Sequence, residues 1–161
     1  SGTMKFVTHF DVHLSWRTQY CGIFKAEYEG VVYYFIDNEQ YFKRPGLYGY
    51  DDDYERFAFF DFAVLELISH LNIRPDVLHM HDWQTAMIAM LYRERYCYYD
   101  YYQNIKLVFT IHNIAFQGKA DPHLLEEFFG LDNYLYYNGN CRNDDCLNMM
   151  KAAIFYSDII Y

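Results

Sequence analysis

The stretch "PDVLHMHDWQTAMIAML", Pro75 to Leu91, decides the fold. Pro75 opens a short apolar run of strand length, and that run passes directly into a longer apolar segment with helical spacing, so a strand should give way to a helix at this point. Two histidines and an aspartate occupy the junction. With a strand's period of two, His79 and His81 share one face. Asp82 directly precedes the helical pattern, where a carboxylate can accept from the free N–H groups of a first turn.

The same alternation continues on both sides. Upstream, "YERFAFFDFAVLELISHL", Tyr54 to Leu71, has the length and spacing of a helix that is apolar over most of its circumference and therefore largely buried. Downstream come a strand in "IKLVFTIHN", a loop, a helix near Pro122 to Phe129, a helix near Cys146 to Tyr156 and a strand beginning at "DIIY". Strand and helix in turn imply βαβ units and a mostly parallel sheet, the α/β class. In such sheets ligands bind beyond the carboxyl ends of the strands. Two strand ends carry chemically able side chains: His79, His81 and Asp82 on one, His112 and Asn113 on the other. A parallel strand covered by helices on both faces would bury His79.

The first third reads differently. "MKFVTHFDVHLSW" and "YCGIFKAEYEGVVYYFID" alternate and are rich in Val, Tyr, Phe and Thr, with Glu29-Gly30 as a turn signal, so a strand meander is expected. "NEQYFKRPGLYGYDDDY" collects Pro45, Gly46, Gly49 and three aspartates, a loop by punctuation whose Asp53 stands where a helix cap belongs.

Composition narrows the function. A chain of 161 residues with 53% hydrophobic content is long enough for one domain with a real core. A net charge of −9, with 13 Lys and Arg spread along the chain, argues against a nucleic-acid or anionic-membrane surface. Nineteen tyrosines supply flat apolar faces with a hydroxyl edge, a surface on which sugars can stack, although core and hairpin packing accounts for most of them. Cys21, Cys97, Cys141 and Cys146 form no C-x-x-C pair, no charge-free run of membrane-spanning length occurs, and no signal-peptide pattern opens the chain, so a cytoplasmic protein is expected. Ser1 and Gly2 read as a cloning remnant. His79, His81 and His112 could be set out as three metal ligands, as in a metal-dependent hydrolase, but no spacing here belongs to a zinc signature, which makes this the minor reading of the three histidines.

"RPDVLHMHDWQTA", "VFTIHNIAFQG" and "LNMMKAAIFYSD", in that order, closely resemble the bacterial glycogen synthases and plant starch synthases, as do "LSWRTQYCGIF", "YYFIDNEQYFKRPGLYG" and "ERFAFF". The resemblance covers almost the whole chain. It implies half of a two-domain GT-B glycosyltransferase, with a Rossmann-like, mostly parallel sheet. Residues 1–161 would be part of the N-terminal, acceptor-side domain of a longer synthase. The lysine-glycine-glycine loop of that family is missing, and so is the C-terminal nucleotide-binding domain.

The implied activity is retaining glucosyl transfer from ADP-glucose to an α-1,4-glucan acceptor, without metal or cofactor, through a transition state of oxocarbenium character. By resemblance His112 lies beside the donor glucose, with its ring on a sugar hydroxyl and its carbonyl facing the developing positive charge. Asp82 positions sugar hydroxyls or His112 while capping its helix. Asn113 and Gln117 are expected to contact donor or acceptor sugar, and Tyr48 to stack on the acceptor; His79 and Trp83 pack, and His81 is unassigned. The residues themselves do not choose ADP-glucose over UDP-glucose; the bacterial and plant resemblance implies the former. A non-catalytic glucan- or partner-binding domain of the same fold is the alternative. This chain alone is expected to be inactive, because catalysis in a two-domain cleft needs groups from both sides.

Overall fold

The structure, a computed structural model, describes residues 3–161; Ser1 and Gly2 lie outside the described residues. β1 (Lys5–Leu14), β2 (Arg17–Tyr28) and β3 (Val31–Asp37) pair antiparallel in chain order. Their second turn runs through Glu29 at φ 50° and Gly30 at φ 80°, the left-handed pair that lets a two-residue hairpin follow the strand twist. Phe10, Val12 and Leu14 of β1 and Cys21 and Ile23 of β2 are buried on the inner face.

The segment after β3 is not all loop. Asn38 accepts a hydrogen bond from the Tyr41 amide at 2.9 Å and so caps a single turn, α1 (Glu39–Phe42). The long helix α2 (Asp53–His70) follows, and nine of its residues are buried, among them Phe59, Phe62 and Leu65. Asp53 does not cap it. The cap position belongs to Asp52, whose side chain makes no capping bond, and Asp53 turns back to accept from the Gly49 amide at 2.6 Å.

Next come β4 (Val77–His81), α3 (Met87–Glu94), β5 (Lys106–Thr110), and the short pieces β6 (Lys119–Ala120), α4 (Leu124–Glu127) and α5 (Tyr134–Tyr137). The chain finishes with β7 (Arg142–Asn143), β8 (Cys146–Asn148), α6 (Met149–Tyr156) and β9 (Ile159–Ile160). Parallel pairing is confined to one sheet, ordered β4-β5-β9, while β6, β8 and β7 make a small antiparallel sheet of their own. The expected helix near Cys146 therefore starts three residues late. Cys146 to Asn148 pair with β6 and β7, and Asn148 caps α6 by accepting from the Lys151 amide at 2.9 Å.

The core runs through the middle of the molecule. α2 packs against β1 on one side and α3 on the other, α3 packs against α6, and α6 packs on β5. Met80, Leu107 and Phe109 face this side and are buried, whereas Val77, His79 and Lys106 on the opposite face of the parallel sheet are exposed. The expectation that helices on both faces would bury His79 fails, because the described residues cover only one face. All four cysteines are free, and burial pushes the Cys21 thiol up to about 12 and the Cys141 thiol up to about 11, so neither supplies a thiolate near neutrality.

Candidate functional site

The register of the parallel sheet places His81 opposite Thr110, so both strands end at the same level. The Asp82 amide extends the ladder by one bond, to the Thr110 carbonyl at 3.0 Å. There the chain turns sharply: Asp82 has φ 58° and ψ −179°. This conformation belongs almost wholly to glycine and costs a side-chain-bearing residue about 1–3 kcal/mol. What the strained geometry achieves is the aim of the carboxylate. Asp82 Oδ1 accepts from the backbone N–H of His112 at 2.7 Å and of Asn113 at 3.3 Å, tying the loop after β5 to the end of β4.

The expected helix cap is thus corrected: the Asp82 side chain makes no capping bond to the 3₁₀ turn Trp83–Thr85, and α3 begins only at Met87. The donors after β5 take the carboxylate instead. Thr85 holds the turn, its hydroxyl donating to the His81 carbonyl at 2.8 Å and lying 2.7 Å from the His81 amide. Among the described residues, no hydrogen bond reaches Asp82 Oδ2, so one carboxylate oxygen stays available.

Tyr48 arrives from the opposite direction. Its loop is tied down at several points: Arg44 makes a bidentate pair with Asp52 at 2.5 Å, and the buried Arg56 reaches Asp53 at 2.5 Å, the Leu47 carbonyl at 3.2 Å and the Tyr41 carbonyl at 2.7 Å. Held in this way, Tyr48 and Gly49 form one wall of a crevice of about 430 Å³ whose other walls include Asp82, Trp83, Asn113 and Phe116. Three of the residues singled out from sequence, Tyr48, Asp82 and Asn113, therefore meet in one cavity, and His112 adjoins it through Asp82.

Gln117 is placed elsewhere. Its Oε1 accepts from Asn148 Nδ2 at 2.8 Å and its Nε2 donates to the Ile114 carbonyl at 3.1 Å, so it braces the loop from inside. Gly118 follows at φ 64°, where an added Cβ would stand 2.8 Å from the Trp83 ring; only glycine lets this loop lie against Trp83. Trp83 also packs edge-on against Phe57, at 5.2 Å between ring centres, consistent with a packing role. His79 is exposed, with Nε2 2.7 Å from the Thr110 hydroxyl. The described residues hold no group of three or more His, Cys, Asp and Glu side chains that could grip a metal ion; His81 Nδ1 lies 3.0 Å from His112 Nε2 instead.

Phe116, Asp53 and Gln84 escaped the sequence reading as crevice residues. Phe116, 65% exposed, faces the crevice, and the signal for it was an aromatic residue in a loop with no helical or strand period to bury it. Asp53 also lines the cavity, and its position in an acidic loop gave no hint of that.

Comparison with known proteins is consistent across sequence and structure. The family model "Starch synthase catalytic domain" matches residues 2–161. A glycogen synthase of Clostridium botulinum (strain Eklund 17B / Type B) is 54% identical over 158 residues, 98% of this chain and 33% of that protein. A glycogen synthase of Streptococcus pneumoniae (strain ATCC 700669 / Spain 23F-1) is 47% identical over 152 residues, 94% of this chain and 32% of that protein. Among solved structures, the catalytic domain of starch synthase IV from Arabidopsis thaliana, bound to ADP and acarbose, superposes with a TM-score of 0.87 at 30% identity, covering 98% of this chain and 33% of that one. The chain thus spans about a third of the length of the curated relatives it matches. With the two strand ends, the loop between them and the motifs they carry all matched along nearly the full length, the chain belongs to the starch synthase catalytic-domain family.

Proposed function

We propose that this chain is the acceptor-side part of a GT-B glucosyltransferase, with a Rossmann-like sheet, that extends α-1,4-glucan from ADP-glucose with retention at the anomeric carbon. The observation that carries the reading is the strained Asp82, whose carboxylate draws the His112 and Asn113 amides onto the end of the neighbouring strand. A residue held in a glycine conformation so that its side chain can organise a loop is a feature of functional sites rather than of packing.

In this reading the His112 ring holds a hydroxyl of the donor glucose, and its backbone carbonyl faces the positive charge that develops as the pyrophosphate leaves. A contact that strengthens with that charge raises turnover more than it raises affinity. Asp82 fixes the His112 main chain with one oxygen and offers the other to a sugar hydroxyl. Tyr48 and Phe116, both strongly exposed at the crevice, give the acceptor glucan apolar faces on which to stack. Asn113, whose Oδ1 accepts from the Ala115 amide at 3.0 Å, offers its side-chain NH2 there, and Gln117 acts through the loop it braces. No cofactor or metal enters the scheme, and the setting is cytoplasmic; among the described residues no helix is long and apolar enough to cross a membrane.

The test is made in the complete protein. His112→Ala is expected to lower kcat by roughly two orders of magnitude or more, the scale of a lost transition-state electrostatic contact, while the KM for glucan changes by less than about threefold. Equal losses in both parameters would assign His112 to binding and overturn its proposed role.

A further inference from the structure

The His112 ring is not free to choose its own orientation. Its Nε2 lies 3.0 Å from Nδ1 of His81, the last residue of β4, and the two rings are nearly parallel, 23° apart with centres 5.3 Å from one another. His81 is itself held on several sides. Its amide and carbonyl are both within hydrogen-bond reach of the Thr85 hydroxyl, and its ring lies 4.2 Å from that of His79, whose Nε2 is 2.7 Å from the Thr110 hydroxyl. Consecutive residues therefore hold residue 112 from two sides, Asp82 by its main chain and His81 by its ring.

We propose that His81 is the positioning residue for His112, orienting its ring through a single shared proton and releasing it only when the pair has taken up two more. This deepens the proposed function and rests on it for its catalytic consequence. A neutral imidazole has one donor and one acceptor nitrogen, so two facing nitrogens at this distance need one proton between them. Fixing which nitrogen of each ring carries its proton also fixes what the His112 ring presents on its other side. Adding one proton to the pair leaves the bond intact. Adding two puts N–H against N–H and drives the rings apart.

The surroundings favour the neutral form of His81. Burial at the strand end, and then the neighbouring His79 and His112 imidazoles, hold it below the ordinary histidine range, while Asp82 acts in the opposite sense. A depressed histidine is neutral at and above the unfolded value, and the neutral pair is lost as pH falls through the folded value. Protonation of His81 is therefore an acid-side event, and the bond survives it until the pair has taken up two protons.

The experiment has two arms. In the first, this chain is labelled with ¹³C and ¹⁵N at histidine, and the ring signals are followed during acidification. The expected result is one fixed tautomer for His112 above neutral pH, with the His81 and His112 signals shifting together. His81→Phe, which keeps a flat ring but no nitrogen, should leave His112 with averaged tautomers. An unchanged His112 tautomer in that variant overturns the proposal whatever the enzyme does, and the amide spectrum separates this outcome from loss of fold.

In the second arm, the complete protein is assayed for glucosyl transfer. His81→Phe is expected to lower kcat about tenfold to a hundredfold, as misplacement of an orienting group does, with little change in the KM for glucan. His81→Asn restores a polar atom near the Nδ1 position, so it should recover most of that loss and remove the acid limb that His81 contributes to the kcat profile. Equal impairment of the Phe and Asn variants would overturn the positioning role. A complete protein with no transfer from any nucleotide-glucose would remove the proposed function and leave the ring pairing to be judged by the first arm alone.

Discussion

Asp82 illustrates what a single residue reveals and conceals. Its place before an apolar helical pattern marks it as a cap, since neighbours along the chain are all that the pattern contains. Its actual partners, the amides of His112 and Asn113, belong to a different strand and become adjacent only through the register of β4 and β5. Asp61 was hidden more completely, as one of four acids in a helix that is otherwise largely apolar. It is 2% exposed, and no partner reaches its Oδ1. Burial raises its carboxyl well above the usual range, with the Met87 amide acting in the other direction. The folded state thus holds this proton more tightly than the unfolded chain does. Stability is full below the unfolded value and is lost as pH rises from the ordinary carboxylate range through the folded value. Replacing Asp61 with Asn should flatten that slope, leaving acid stability nearly unchanged and adding roughly 1–3 kcal/mol at the alkaline end. Urea unfolding of both forms across the pH range measures it, and parallel slopes would show that Asp61 is charged and solvated in the folded protein.

At the scale of elements, periodicity located the segments well and their neighbours poorly. α2 was legible because its apolar residues recur around the helix over its whole length. The start of α6 was not, since Cys146 to Asn148 are as compatible with a helix as with the short ladder they form, and only the distant β6 and β7 decide between them. β3 presents a related problem. It pairs with β2 alone, and Val31 to Phe35 are exposed on both faces. An exposed apolar strand with one open edge is a template for another copy of itself. The chain is therefore expected to associate as its concentration rises, and Tyr33→Lys together with Phe35→Lys should keep it monomeric over the same range, with sedimentation velocity as the measurement. Association that is indifferent to both lysines would place the contact elsewhere, for instance on the open face around Val77 and His79.

For the molecule as a whole, the long motifs were legible because each is contiguous, whereas the crevice was not, because Tyr48, Asp82 and Phe116 come from three separate segments that only the fold brings together. The assembled crevice also bears on what this chain can do alone. Its lining includes two carboxylates, Asp53 and Asp82, and no Lys or Arg, in a chain of net charge −9. A nucleotide-sugar carries a dianionic pyrophosphate, whose binding ordinarily depends on backbone N–H groups at a helix terminus or on paired basic side chains. The crevice lining offers it no basic side chain. A neutral glucan, held by stacking and hydroxyl contacts, loses much less from this lining. We therefore expect the 161-residue chain to bind ADP-glucose or UDP-glucose no more tightly than about millimolar, some 4 kcal/mol, and to give no glucosyl transfer from either, while malto-oligosaccharide shifts the resonances of Tyr48 and Phe116. Transfer above the buffer control with this chain alone would mean that Asp82, His112 and the crevice suffice for the chemistry, and that the donor is held by contacts other than cationic ones.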